Sequence, residues 1–136
     1  MRPEPSVKPR PDAIPTPPTV DVLGVPLALT DYEAAVDWIE AMVAAERQGF
    51  LCACNTHTVM ASHEDPELSA ALEQASLIVP DGQPLVWAIN ALGYTLRSRV
   101  YGPELMSRAC ARAVDRGHRF YLYGGRNQGA LVQLAL

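Results

Sequence analysis

The sequence has little of what marks secreted, membrane-spanning or nucleic-acid-binding proteins. Its three cysteines are an odd number and do not form the framework of a small disulfide-bonded domain, so we expect a reducing, cytoplasmic compartment. No apolar run approaches the roughly 20 residues that cross a bilayer, and the N-terminus lacks the charged-then-apolar order of a signal peptide. Charged residues make up 19% of the chain and the net charge is -4, so the overall balance does not favour nucleic acid as a partner.

Proline is concentrated at the N-terminus, at positions 3, 5, 9, 11, 15, 17 and 18, where few apolar residues could anchor the chain. This composition predicts a disordered leader over residues 1–19, because the segment cannot bury enough apolar surface to offset its ordering entropy. Apolar residues are 49% of the whole chain, and residues 20–136 are numerous enough for one domain with a buried core.

Short apolar runs alternate with amphipathic patterns along residues 20–136. Strands are predicted as a short hairpin or a bent edge strand over residues 20–29 and then at residues 50–54, 76–80 and 119–123. Helices are predicted from Thr30, the start of a capping box, to Gly49, on both sides of a break and cap at Asp65, over residues 83–92, over residues 103–116 before Gly117, and from Asn127. Since each return between parallel strands needs a helix, this order predicts an α/β fold, a Rossmann-like three-layer sandwich with a mainly parallel sheet.

Asp81 follows an apolar strand and precedes a helix in the sequence SLIVPDGQPLVW. Ligands of α/β folds bind beyond the carboxyl ends of the strands, and the segments that start at Asn55, Asp81 and Gly124 occupy such positions. A partly shielded carboxylate at this place could act as a general base on an incoming hydroxyl. On the residues alone, an N-cap or turn aspartate is the more frequent role of an Asp-Gly pair.

Asn55 ends the FLCAC strand and opens the next helix. Its amide could bind a sugar hydroxyl, and a turn or cap asparagine is an equally good interpretation. His57 follows Cys52 and Cys54, but Cys-x-Cys on a strand supplies no second pair of ligands at zinc-finger spacing. We therefore predict buried thiols here and no metal site.

The stretch from Arg97 to Arg119 is rich in arginine although the whole chain is negatively charged. Such a local positive patch suits a diphosphate group or an anionic lipid headgroup. Three of its arginines are four residues apart on a predicted helix, and a solvated helix face explains them equally well: Arg108, Arg112 and Arg116. The loop residues Arg97 and Arg99 are therefore the preferred candidates for anion binding.

A glycine pair, Gly124-Gly125, lies between the last predicted strand and a predicted helix. Glycines at this place can bring backbone amides close to a phosphate at a helix N-terminus. A tight turn explains the pair equally well, because the full G-x-G-x-x-G pattern of dinucleotide-binding proteins is absent. The same absence disfavours a nicotinamide-dependent oxidoreductase.

The chain resembles the WecG/TagA/CpsF glycosyltransferase family in three segments, CNTHTVMASHEDPELSAALEQASLIVPDGQPLVWA, RSRVYGPELM and FYLYGG. The resemblance runs from about Val20 to the end of the chain. Its most specific elements are an asparagine followed by Pro-Asp-Gly at this separation, the Arg-Val-x-Gly-x-x-Leu segment from Arg99 to Leu105, and the glycine pair. Family members often carry a threonine two residues before the asparagine, and this chain has Ala53 there.

The resemblance implies an enzyme that transfers N-acetylmannosamine or a related sugar from a UDP-sugar to an undecaprenyl-diphosphate-linked acceptor. Inversion at the sugar, no bound metal or other cofactor, and a role in cell-surface polysaccharide synthesis are implied with it. Asp81 is then the catalytic base, and we expect substrate contacts from Asn55, Gly82, Arg99, Gly102, Gly124 and Gly125. The resemblance further implies a cytoplasmic enzyme at the inner surface of the cytoplasmic membrane, and it leaves a homo-oligomer open.

The length of the chain adds a second interpretation. Chains of this family continue well beyond the position of Leu136, so we expect residues 20–136 to be the N-terminal portion of a C-terminally truncated glycosyltransferase domain. A non-catalytic nucleotide-binding or interaction module, with the same α/β sheet and no turnover, is the alternative.

Overall fold

The structure, a computed structural model, describes residues 14–125 and 132–133, and strands and helices alternate along them as the sequence predicts. The strands are β1 (Thr19–Val22), β2 (Val25–Ala28), β3 (Leu51–Cys54) and β4 (Leu77–Pro80). The helices are α1 (Tyr32–Ala44), α2 (Thr56–Glu64), α3 (Pro66–Gln74), α4 (Gln83–Ala91) and α5 (Gly102–Arg116).

The four strands form two pairs. β1 and β2 are an antiparallel hairpin, as predicted, and they are joined by Leu23 and Gly24, whose φ angles are both positive. Two positive φ angles are typical of the tight turns that match the twist of a hairpin. β3 and β4 pair in parallel, with Leu51 opposite Leu77 and the two carboxyl ends side by side.

The apolar side chains form two cores, one on each face of the strand layer. Ile78 of β4 belongs to the first core, and its neighbours Leu77 and Val79 belong to the second, because successive side chains of a strand point to opposite faces. Three helices complete the first core, α2 with Val59, α3 with Leu72, and α4 with Leu85, Val86 and Ile89. Helices α1 and α5 complete the second with Ala35, Val36, Trp38 and Leu105. The predicted α/β class and its three layers are therefore confirmed.

The helix boundaries follow capping chemistry, and two of them differ from the prediction. Asp31, not Thr30, is the N-cap of α1, because its carboxylate accepts a hydrogen bond from Ala34 N at 2.8 Å. The helix ends at Ala44 instead of running to Gly49, because Glu46 adopts a positive φ of 51°. Gly49 has another role, since a Cβ atom there would overlap the side chain of Ser76.

The other predicted caps are confirmed. Asp65 separates α2 from α3, and its carboxylate accepts hydrogen bonds from Glu67 N and Leu68 N at 2.9 and 3.1 Å. Gly117 closes α5 in the left-handed conformation at φ 69°, which glycine adopts without a steric penalty.

The strand predicted at residues 119–123 is wrong. These residues pair with no strand in the described part of the chain, and Tyr121 and Tyr123 are 89% and 93% exposed. An apolar run becomes a strand only when another strand supplies hydrogen-bond partners, and none lies beside this run. β3 is less buried than predicted, because β4 is its only strand partner among the described residues. Only the last residue of β3, Cys54, is fully covered.

The predicted leader overlaps with ordered structure. Residues 1–13 lie outside the described part of the chain, but Ile14 packs against the second core. Pro18 accepts a hydrogen bond from Leu29 N at 2.8 Å, and Thr19 already pairs with Ala28 in the hairpin. Residues 14–19 of the predicted leader therefore include packed residues, ahead of the predicted start at Val20.

Candidate active site

Three chain segments meet at the carboxyl edge of the strand layer. The first two are the ends of β3 and β4, where Asp81 N donates a hydrogen bond to Cys54 O at 2.8 Å. The loop before α5 joins them, because Val100 N donates to Pro80 O at 2.8 Å. The hydroxyl of Tyr32, the first residue of α1, accepts from Tyr101 N at 3.1 Å and so brings the start of α1 to the same edge.

Asp81 is held at this edge by the first turn of a distant helix. Its Oδ2 atom accepts a hydrogen bond from Gly102 N, the first residue of α5, at 3.2 Å. The alternative role as N-cap of α4 is wrong, since Gly82 is the N-cap of that helix and makes no side-chain cap bond. Asp81 is partly buried, and no described residue donates a hydrogen bond to its Oδ1 atom. One carboxylate oxygen is fixed, and the other is open to a ligand.

Asn55 lies directly beside Gly82. It caps α2, because its Oδ1 atom accepts hydrogen bonds from Thr58 N at 2.9 Å and from Thr58 Oγ1 at 3.0 Å. The cap interpretation is therefore confirmed, but it uses only the oxygen of the amide. No described residue accepts a hydrogen bond from Nδ2 of this exposed side chain. A Cβ atom on Gly82 would be 3.7 Å from that of Asn55, so the two positions are in van der Waals reach.

The thiols behind this edge are structural in character. Cys54 is fully buried, and burial raises the pKa of its thiol to about 11, with the nearby charges of Cys52 and Asp81 adding to the effect. Burial also raises the pKa of Cys52. Thiols with raised pKa values are poor nucleophiles and poor metal ligands at neutral pH. Within residues 14–125 and 132–133, no group of three His, Cys, Asp or Glu side chains could hold a metal ion.

The loop arginines border the same edge. The guanidinium of Arg99 lies 4.9 Å from the ring centroid of Tyr101, a cation–π contact that holds an exposed side chain close to Gly102. Arg97 and Ser98 line a cavity of about 270 Å³ together with Thr30, Asp31 and Thr95. Asp81 is not among the lining residues, so this cavity is distinct from the Asp81 site. It lies at the start of α1, where Asp31 and Ala34 line it.

The three arginines of α5 bind acidic residues of α1 instead of facing solvent alone. Arg112 forms ion pairs with Glu33 at 2.7 Å, with Glu40 at 3.1 Å, and with Asp37. Arg108 lies 3.7 Å from Glu33, and Arg116 lies 3.3 Å from Glu40. Arg108 and Arg116 are exposed, as a solvated face predicts, but their charge is compensated by α1, so these arginines are not free to bind an anion.

Gly124 and Gly125 follow the exposed residues 119–123. They have positive φ angles of 109° and 85°, and both are exposed. The helix predicted after them lies largely outside the described residues, and a Cβ atom on Gly124 would meet nothing within 4 Å. The contacts of the described residues bring together Asn55, Asp81, Gly82 and Gly102, and Arg99 lies in the loop that leads to Gly102.

Sequence reasoning missed one residue of the cluster, Tyr32. The periodicity of α1 assigns it to the apolar face, and it does pack against the second core. Its hydroxyl group contacts Tyr101, which is 69 residues away in sequence. No local pattern could reveal this contact.

A layer of strands that places an amide and a carboxylate at its carboxyl edge is typical of α/β proteins that bind a ligand at that edge. Comparison with known proteins narrows the class, since the Glycosyl transferase WecG/TagA/CpsF family matches residues 20–135. This chain belongs to that family. It is also 27% identical over 96 residues to the N-acetylglucosaminyldiphosphoundecaprenol N-acetyl-beta-D-mannosaminyltransferase of Bacillus spizizenii. That match covers 70% of this chain but only 37% of the relative's length.

None of the described helices is both long enough and apolar enough to cross a bilayer.

Proposed function

We propose that this chain carries the acceptor-activating site of an inverting glycosyltransferase that acts in cell-surface polysaccharide synthesis. The donor is a UDP-sugar, N-acetylmannosamine or a related sugar on UDP, and the acceptor is a sugar linked to undecaprenyl diphosphate. The observation that carries the proposal is the Asp81 carboxylate, fixed through Oδ2 by Gly102 N and open at Oδ1, at the carboxyl edge of the parallel pair. The family and the Bacillus relative, whose name specifies both the sugar and the lipid-linked acceptor, support the choice of substrates.

The chemistry is a single displacement. Asp81 removes the proton from the acceptor hydroxyl while that oxygen attacks the anomeric carbon of the donor, and the bond from this carbon to UDP breaks on the opposite face. The Nδ2 group of Asn55, adjacent to Gly82, is available to hold a sugar hydroxyl in place. A fixed base is effective because little reorganisation is needed when the acceptor arrives.

The departing UDP carries negative charge that the protein has to stabilise. Arg99 is exposed beside Gly102, and Tyr101 restrains its guanidinium, so this residue is our candidate for contacts to a diphosphate. We also keep Gly124 and Gly125 as candidates for phosphate contacts from backbone amides. The diphosphate of the lipid-linked acceptor is a second anionic group that Arg99 can bind. Binding of this acceptor is consistent with a protein that works at the inner surface of the cytoplasmic membrane.

A non-catalytic nucleotide-binding module is the alternative, because the match spans 37% of the relative's length. The 136-residue chain should be incubated with UDP-N-acetylmannosamine and undecaprenyl-diphosphate-linked N-acetylglucosamine, and UDP release should be followed. Turnover supports the enzyme. Calorimetric binding of UDP-N-acetylmannosamine without turnover supports the binding module.

Asp81→Asn tests the base directly. Asparagine keeps the size and the acceptor for Gly102 N but cannot take a proton, so we expect kcat to fall by about 10² to 10⁴ while UDP binding and the melting temperature are retained. Asp115→Asn, which changes an exposed carboxylate in the last turn of α5, is the matched control and should leave kcat unchanged. Near-normal turnover of Asp81→Asn would remove Asp81 from the mechanism.

The same assay tests Arg99. Arg99→Ala should raise the KM for donor or acceptor by about tenfold, the equivalent of one charged hydrogen bond. Arg99→Lys keeps the charge and loses the planar group over Tyr101, so its KM should lie between that of the wild type and that of Arg99→Ala. Unchanged KM values for both substrates in Arg99→Ala would contradict a role in diphosphate binding.

A further inference from the structure

We propose that Tyr32 is a positioning residue, whose hydroxyl holds the first turn of α5 so that Gly102 N points at the carboxylate of Asp81. Tyr32 itself is not expected to contact substrate. The inference rests on the proposed role of Asp81 as a base, and it adds the device that keeps this base oriented.

The first amides of α5 take their acceptors from outside the helix. Tyr101 is the N-cap residue, but its side chain makes no cap hydrogen bond. Helix N-termini leave several N–H groups without partners inside the helix, so other groups must supply acceptors. Tyr101 N donates to the hydroxyl of Tyr32 at 3.1 Å, and Gly102 N donates to Asp81 Oδ2 at 3.2 Å. These two N–H groups are consecutive, so fixing the first restrains the direction of the second.

Tyr32 is well suited to hold a neighbour in place because several contacts fix it. Its ring packs against the second core, and the guanidinium of Arg108 lies 4.5 Å from the ring centroid. Arg108 is in turn bound to Glu104 at 2.8 Å and lies 3.7 Å from Glu33. Both ends of the hydrogen bond are thus anchored in helices that other contacts already join.

There is little free space around Gly102. A Cβ atom at this position would be 3.1 Å from the Cβ atom of Ala53 and 3.5 Å from Asp81 Oδ2. A side chain at this position would have to displace Ala53 slightly, so the backbone of α5 lies close to β3 and to the carboxylate. A small shift of the first turn changes the contact between the amide and the carboxylate directly.

This arrangement assigns different tasks to the two oxygens of Asp81. Oδ2 is bound by an amide at the N-terminal, positive end of a 15-residue helix. Oδ1 is left to accept the proton of the acceptor. Without the Tyr32 hydroxyl, the Tyr101 amide loses its acceptor, the first turn can move, and the orientation of Oδ1 is no longer fixed.

Tyr32→Phe removes this hydrogen bond and keeps the ring beneath Arg108. We expect kcat to fall by about tenfold or more, as for other small displacements of catalytic groups, while KM changes by less than about twofold. In ¹⁵N-¹H NMR spectra, the amide signals of Tyr101 and Gly102 should shift and their hydrogen exchange should accelerate. Tyr94→Phe, which removes the hydroxyl of another half-buried tyrosine, is the control and should leave kcat and both amide signals unchanged.

The NMR readout separates this inference from the proposed function. If the wild-type chain has no turnover, the proposed function fails, but the Gly102 amide still reports whether Tyr32 positions it. Tyr101→Pro is a second variant, because φ of Tyr101 is -74° and proline has no N–H group to donate to the Tyr32 hydroxyl. Tyr101→Phe, which keeps the N–H group and a ring beneath Arg99, is its control and should leave the hydrogen exchange of the Gly102 amide unchanged. The same shift of the Gly102 signal is expected in Tyr101→Pro. An unchanged Gly102 amide in folded Tyr32→Phe or Tyr101→Pro, or an unchanged kcat in Tyr32→Phe of an active enzyme, would overturn the proposal.

Discussion

Cys54 and Asn55 are neighbours in sequence, yet their side chains meet different surroundings and acquire different chemistry. Cys54 points into the first core and is fully buried, whereas Asn55 is exposed and binds the first turn of α2. A cysteine beside a candidate active site is often a nucleophile, but desolvation works against that role because it disfavours the thiolate. Burial, and not the residue type, therefore makes Cys54 a core residue.

The raised pKa of Cys54 predicts how stability depends on pH. Burial raises this pKa from 9.0 to about 11, so between these values the unfolded chain loses the thiol proton and the folded chain keeps it. The stabilisation is fully present below pH 9 and is lost as the pH rises towards 11. In urea unfolding experiments, the difference in unfolding free energy between wild type and Cys54→Ala should be smaller at pH 10 than at pH 8. A difference that is the same at both pH values would contradict the assignment.

Asp81 and Asp65 show that the same residue type serves different elements. Asp65 caps the helix that follows it, as its sequence context predicts. Asp81 has the same kind of context, but its carboxylate binds α5, 21 residues further along the chain. The local sequence was sufficient for Asp65 and insufficient for Asp81, because only the second bond depends on how a distant helix packs.

At the scale of elements, α2 and α3 are two helices only because a cap and a proline interrupt them. Asp65 ends α2 in an extended conformation, and Pro66 takes the first turn of α3, where its missing N–H group costs nothing. The hydrogen bonds from Glu67 N and Leu68 N to Asp65 fix the start of the second helix. Together the two helices form the connection between β3 and β4 that a parallel pair of strands requires.

Asp65→Ala should therefore lower the unfolding free energy by about 1 kcal/mol, since two amides lose their acceptor. Asp65→Asn keeps an oxygen at the same place and should cost only a few tenths of a kcal/mol. Urea denaturation followed by circular dichroism measures both. Equal losses in the two variants would show that the charge of Asp65, and not its cap geometry, stabilises α3.

The α1 and α5 pair is the other element that local patterns did not foresee. Arginines four residues apart on α5 are typical of a solvated face, yet the structure places acidic residues of α1 opposite them. The pairing matters for the site, because these two helices carry Tyr32 and Gly102. Exposed ion pairs of this kind contribute little to stability, so we assign them a role in orientation.

At the scale of the whole molecule, the packed part of the chain starts inside the predicted leader. Ile14 contacts the second core, and residues 15–17 line a cavity with Trp38 and Ala41. Pro18 adds the hydrogen bond from Leu29 N. A proline-rich segment can thus join a fold when a few of its residues find an apolar surface and a backbone partner.

Two truncations test this boundary. Removing residues 1–13 should leave the melting temperature unchanged, because that segment has the composition of a disordered chain. Removing residues 1–18 should also delete the Ile14 contact and the Pro18 hydrogen bond, which together contribute about 1 to 3 kcal/mol, so the melting temperature should fall by several degrees. Equal melting temperatures for the two truncations would show that residues 14–18 do not stabilise the domain.

The sequence by itself determined most of the local structure. Short apolar runs and helical patterns located the four strands and five helices of the described residues, and cap residues such as Asp65 and Gly117 marked helix ends, because these signals act over a few residues. The alternation of elements was sufficient for the α/β class. The order of Asn55 and Asp81 along the chain, combined with the rule for carboxyl ends of strands, located the candidate site.

The tertiary structure decided what depends on distant neighbours. It left residues 119–123 without a strand partner in the described part of the chain, packed Ile14 of the predicted leader against the second core, and joined the arginines of α5 to α1. It also decided that Asp81 binds Gly102 and that Tyr32 binds Tyr101, across 21 and 69 residues of sequence. Hydrogen bonds and ion pairs of this kind form only after helices pack against the strand layer, so no pattern within a single element encodes them.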